Sequence, residues 1–207
     1  MLISELAKMV HQNAVEHGWW DDERNPEEVI ALIHSEWSEA LEEARVGRPM
    51  VWFSCGFLAK GQTCDYFKDD CEIKGADDCK HERGKPEGIA VELIDGCIRI
   101  LDYMGRMETE LTTGGNDATI ESLYNTENVQ KVPDKASEAI AYLHVYTSQA
   151  MSARSFHDLG VPDMFALTGA MAAALSWVQK QGIDPLALLL EKHEYNKSRP
   201  YKHGKKF

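Results

Sequence analysis

Apolar residues recur at helical spacing along most of the chain. Leu6, Met9, Val10 and Ala14 form a stripe that predicts a first helix from Ile3 to about His17, ended by Gly18. Trp19 and Trp20 follow in a loop with Asp21, Asp22 and Arg24. Pro26, Glu27 and Glu28 mark a second helix start, with Asn25 as N-cap, because proline and acids suit a first turn. Its apolar face is Val29, Ile33, Trp37, Ala40, Leu41 and Ala44, and it runs to about Arg45 before Gly47 and Pro49. Residues 48 to 85 lose this periodicity and read as an irregular insertion. A third helix is predicted from Pro86 to about Glu108. Residues 112 to 133 are polar with Gly114, Gly115 and Pro133, hence a loop. A fourth helix is expected from about Asp134 to Arg154, and a fifth from about Pro162 to Gln181, closed by Gly182. Asp184 caps a sixth, with Pro185 at its first position, ending near Lys197. Nothing alternates cleanly with period two, so the expected fold class is an all-α helical bundle.

Composition narrows the function. The chain has 207 residues and a formal net charge of −12. An acidic surface argues against nucleic-acid binding, which needs basic patches to replace phosphate counterions. The charge is uneven, however: from Lys192 onward Lys192, Lys197, Arg199, Lys202, Lys205 and Lys206 face only Glu194. A basic end on an acidic protein suits a small phosphorylated ligand. The opening MLISELAKMVHQNAVEHGWW lacks a basic leader, an apolar core and a small-residue cleavage site. No apolar run approaches the roughly 20 residues of a membrane span. A cytoplasmic protein is therefore expected, with no membrane partner and with its five cysteines reduced or metal-bound.

The candidate chemistry lies in two acidic rows. Glu36, Glu39 and Glu43 share one face of the second helix, and Glu92, Asp95, Arg99 and Asp102 share one face of the third. Each row borders the apolar stripe. If the two helices pack antiparallel, four carboxylates meet at their seam and repel unless protonated or bridged by a cation. Oxygen-only ligands suit Mg²⁺ or Mn²⁺. Carboxylates three apart on a helix are common on solvated faces; two such pairs before a basic C-terminal segment are a stronger combination. Di-iron bundles use Glu-x-x-His motifs, and the chain has none.

These residues resemble a known family. Glu36-x-x-Glu39 followed by Glu92-x-x-Asp95 looks like the pattern of the MazG-type all-α nucleoside triphosphate pyrophosphohydrolases of bacteria and phages. The blocks GWWDDERNPEEVIALIHSEWSEALEEAR, KPEGIAVELIDGCIRILDY and EKHEYNKSRPYKHGKK carry the resemblance in the family's order. It implies one MazG-like domain over residues 1–207, Mg²⁺ ligation by Glu36, Glu39, Glu92 and Asp95, and cleavage of nucleoside triphosphates to monophosphate and pyrophosphate. Glu39 is the candidate proton acceptor for the attacking water. Lys192, Asn196 and Arg199, at i, i+4 and i+7, would contact phosphates or sugar. Trp19, Trp20 and Trp37 could each stack on a base; the loop position leaves that role open to Trp20, whereas Trp37 and Cys97 belong to apolar stripes and His34 reads as a hydrogen-bonded helix histidine. The family also associates through helices, so a homodimer or homotetramer is expected.

The chain departs from the family in the length between Glu39 and Glu92. The excess holds Cys55, Cys64, Cys71 and Cys79, which with His81 offer a structural Zn²⁺ site as Cys₄ or Cys₃His. Their spacing lacks C-x₂-C knuckles, so free thiols, or disulfides in an oxidising setting, are the alternative. Long surface insertions cost little loop entropy. Other functions to weigh are a dUTP- or dCTP-specific pyrophosphatase of the same chemistry, and a catalytically silent helical module that binds a partner through its insertion.

Overall fold

The computed structural model describes residues 1–53, 85–107, 112–113, 116–152 and 162–204, and these residues are mostly helical. The cysteine-bearing stretch of the insertion, including the candidate zinc ligands, lies outside them.

The α1 helix (Ile3–Glu16) buries Ile3, Leu6, Ala7 and Val10. The α2 helix (Pro26–Arg45) starts as its cap predicts: the Asn25 side chain accepts a hydrogen bond from the Glu28 backbone N–H at 2.8 Å. It buries Val29, Ile30, Ile33, Trp37 and Ala40, together with Glu36.

The third predicted helix begins later than expected. Pro86 and Glu87 form β2, a two-residue strand antiparallel to β1 (Trp52–Phe53), and α3 spans Ile89–Arg106. Gly88 caps it with a φ of 110°, and a Cβ there would lie 2.7 Å from the carbonyl oxygens of Pro49 and Met50. The position requires glycine for both reasons. The Ala90 N–H then donates to the Met50 carbonyl at 3.0 Å. Both ends of the insertion are thereby tied to the start of α3.

The region expected to be loop also carries structure. A two-residue hairpin, β3 (Thr112–Thr113) with β4 (Asn116–Asp117), precedes a 3-10 turn (Ile120–Tyr124) and the short α4 (Thr126–Lys131), capped by Asn125. The remaining helices fall close to their predicted spans: α5 (Ala136–Ser152), α6 (Met164–Lys180, capped by Asp163) and α7 (Pro185–Lys197, capped by Asp184).

The centre of the bundle is α3, which packs against α1, α2, α6 and α7, while α5 packs on α2 and α6. Being surrounded, α3 buries residues on nearly every side, including Glu92 and Asp102. Close approach of α2 depends on Gly96, because a Cβ there would collide with the fully buried Trp37 ring. Trp37 Nε1 in turn donates to Thr147 Oγ1 on α5 at 2.9 Å. Among the described residues, no helix is long and apolar enough to cross a membrane.

Candidate functional site

Helical periodicity places Glu36 and Glu39 on the α2 face that meets α3, and Glu92 and Asp95 on the α3 face that meets α2. Carboxylate oxygens of Glu36, Glu39 and Glu92 all lie within 4.8 Å of one another. Glu36 and Glu92 are buried, at 7% and 3% exposure, whereas Glu39 is open to solvent. The three, with Asp95, line a cavity of about 230 Å³ that also takes in Asn196 and Arg199. Helix α7 ends at Lys197, and the chain keeps turning through an Arg199 N–H to Asn196 carbonyl bond of 3.3 Å. That turn carries Arg199 to the cavity.

The electrostatics follow from burial. Desolvation pushes the Glu92 carboxyl up to about 9, helped by the neighbouring Asp95 charge and opposed by Lys192 and Lys85. Burial also raises the Glu36 pKa; Arg99, whose Nε donates to Glu36 Oε1 at 3.0 Å, pulls the other way, and Asp95 and Glu39 add to the rise. Desolvation and carboxylate repulsion both disfavour full ionisation, and a proton or a cation relieves both. The donors are all hard oxygens, which fits Mg²⁺ or Mn²⁺ better than a soft metal.

Two predicted site residues sit apart from the cavity lining. Lys192 is fully buried beneath it, its ammonium held by Asp95 Oδ2 at 2.9 Å and by the Pro86 carbonyl at 3.0 Å. Trp20 lies behind the lining, where its Nε1 donates to Asp102 Oδ1 at 2.9 Å. His11 Nδ1 contacts the same oxygen at 2.8 Å, which makes it a second donor to that carboxylate.

Further residues line the cavity. Trp19, rather than Trp20, borders the cavity, with the Arg24 and Arg99 guanidinium groups 5.2 and 5.8 Å from its ring centre. Lys85 also reaches the cavity, and its Nζ donates to Glu87 at 2.7 Å. Burial works against the Lys85 charge, but Glu87, Glu92 and Asp95 outweigh it and the pKa is raised. Arg99 was visible in the acidic row of α3, whose sequence did not give its role as partner to Glu36. Asn13 of α1 completes the wall. Its type and spacing carried no signal, because only packing of α1 on α3 brings it to the site.

The arrangement unites a converging carboxylate set with cationic and amide side chains across one small cavity. That combination fits an anionic ligand bound through a divalent cation. No protein-family model, curated protein or solved structure matches this chain.

Proposed function

We propose that this chain is a MazG-like, Mg²⁺-dependent nucleoside triphosphate pyrophosphohydrolase, cleaving substrate to the nucleoside monophosphate and pyrophosphate. The observation that supports it best is the convergence of Glu36, Glu39 and Glu92 within 4.8 Å, in a cavity that Lys85, Arg99 and Arg199 also line. Those three carboxylates would hold the cation. Asp95 joins the acidic set while paired with Lys192. Mg²⁺, when bound, neutralises polyphosphate charge and lowers the pKa of a bound water.

The chain's own residues account for the rest. Arg199 and Lys85 supply positive charge for phosphate oxygens, Arg through two parallel donors and Lys as a point charge. Arg99 fixes the Glu36 carboxylate by its 3.0 Å bond. Water attacks one phosphorus of the α–β anhydride, the bond from that phosphorus to the bridging oxygen breaks, and monophosphate and pyrophosphate separate. Glu39 accepts the water's proton: it lines the cavity and is the exposed member of the set, so its carboxylate is open to water. Phosphoryl chemistry of this kind is chiefly positioning and charge stabilisation, which a rigid helical seam provides.

The test is release of monophosphate and pyrophosphate from a panel of NTPs and dNTPs, with Mg²⁺ and with EDTA. Metal-dependent appearance of both products is expected. No release from any member by folded, metal-loaded protein overturns the reading.

A further inference from the structure

The adjoining helices α5 and α6 turn aromatic side chains to solvent. Tyr142 and Tyr146 of α5 are exposed, and Phe165 in the first turn of α6 is 84% exposed. Single exposed apolar residues are normal, but aromatics gathered on one face mark an interaction surface. One helical turn beyond Phe165 this face opens into a cavity of about 650 Å³, walled by Tyr142 and Tyr146 and floored by Gly169, Ala172 and Ala173.

The chain's own packing does not account for Gly169. It lies inside α6 and has no positive φ. Among the described residues a Cβ there would meet only the Tyr146 ring, at 3.5 and 3.6 Å, an ordinary contact. Gly96 differs, because Trp37 leaves no room for a Cβ. Alanine at 169 would gain up to about 1 kcal/mol of helix propensity. A glycine kept on an exposed helix face suits the close approach of a backbone from outside.

The spacing identifies what approaches. Phe165, Gly169 and Ala173 lie on one i±4 row of α6, the large side chain four residues before the glycine and the small one four after. Two such rows crossing antiparallel at Gly169 set each Phe165 over the other copy's Ala173, beside Tyr142 and Tyr146. Knob and hole then match twice, as a two-fold axis requires. Charge agrees. At −12 overall, most faces of two copies repel, but Lys131 and Glu138, the charged residues lining this cavity, cancel. The same crossing brings Asp163, two residues before the knob, toward the other copy's Lys131.

We propose that the α5–α6 face is a self-association surface: Phe165 of one copy seats in the Tyr142–Tyr146 cavity of a second copy, and the two α6 helices cross at Gly169. The proposal uses none of the residues that line the carboxylate cavity and stands or falls apart from the nucleotide reading.

The experiment is sedimentation equilibrium of the full chain in reducing buffer over a range of concentrations, for wild type, Phe165→Glu, Gly169→Ala and Val15→Glu. Circular dichroism confirms that each is folded. Reversible dimerisation of wild type is expected. Phe165→Glu should weaken it about thirtyfold or more, as for a central interface anchor. Gly169→Ala should raise the Tm of the dilute monomer and yet weaken association, a split that a glycine serving only its own helix would not give. Val15→Glu adds the same acid at an exposed position of α1 and should associate like wild type. A wild type that stays monomeric at every concentration overturns the proposal. Unchanged association in Phe165→Glu or in Gly169→Ala overturns it too, because the contact then lies elsewhere. An equal loss in Val15→Glu does the same, since added charge alone would explain it.

Discussion

Lys192 and Arg199 stand on one row of α7 and its following turn, yet they do different work. Lys192 is fully buried and ion-paired with Asp95, whereas Arg199 borders the cavity. Removing one partner of a buried pair strands the other charge, at a cost of about 3 kcal/mol or more. Lys192→Met is therefore expected to lower stability by about that amount. Arg199→Met should change stability by less than about 0.5 kcal/mol and instead raise KM for triphosphates. Thermal denaturation beside steady-state kinetics checks both, and a Lys192→Met protein with wild-type Tm would reverse the assignment. Glu39→Gln belongs to a third class. It keeps the shape of an exposed side chain and relieves repulsion on Glu36, so in EDTA it should not lower the Tm, and it should cut kcat by about 10² to 10⁴, the range for a lost proton acceptor. Full activity in that variant would remove Glu39 from the mechanism.

At the level of elements, the seam between α2 and α3 sets the carboxylate geometry, and Gly96 sets the seam. Two effects oppose each other in Gly96→Ala. Alanine gains up to about 1 kcal/mol of helix propensity over glycine, but its methyl group would collide with the Trp37 ring. Trp37 is fully buried and tied to Thr147, so it has no easy way to yield. Overpacking of this kind typically costs about 1–3 kcal/mol, and the net effect expected is a lower Tm. Because Glu36 and Glu39 flank Trp37 on α2, more Mg²⁺ should also be needed for half-maximal activity. A higher Tm would mean that the helices part without strain. The same scale separates what the sequence disclosed from what it did not. Asn25 before Pro26 and Asp184 before Pro185 gave the starts of α2 and α7, since caps act within one turn. The convergence of Glu36, Glu39 and Glu92 followed from two local periodicities and one packing assumption. The start of α3 was not legible, because Pro86 pairs with Phe53 from across the insertion. Asn13 and Lys85 were hidden for the same reason: packing, not local pattern, delivers them to the cavity. Trp19 and Trp20 are adjacent in a loop, where no periodicity says which ring faces inward.

For the molecule as a whole, a net charge of −12 and a buried acidic cluster make stability depend on what neutralises that cluster. Without a divalent cation the neutralising agent is a proton. Burial and Asp95 hold the Glu92 carboxyl at about 9 in the native state, against 4.5 for the unperturbed group, and Glu36 is shifted the same way. Between those values the folded protein binds more protons than the unfolded chain. Its stability must then fall as pH rises, being fullest below the unfolded pKa and lost progressively on the way to about 9. A bound cation takes the proton's place and removes the reason for the shift. In EDTA the Tm should therefore decline from about pH 6 to about pH 9, and Mg²⁺ should flatten that decline, so that its stabilising effect grows with pH. Glu92→Gln supplies the control, because a neutral amide neither titrates nor binds the cation well. Its Tm in EDTA should vary less with pH, and Mg²⁺ should raise it less. Parallel Tm curves with and without Mg²⁺ in the wild type would mean that Glu92 is not where the cation binds. Curves that converge only in Glu92→Gln would tie the pH response of the whole bundle to one carboxylate at the α2–α3 seam.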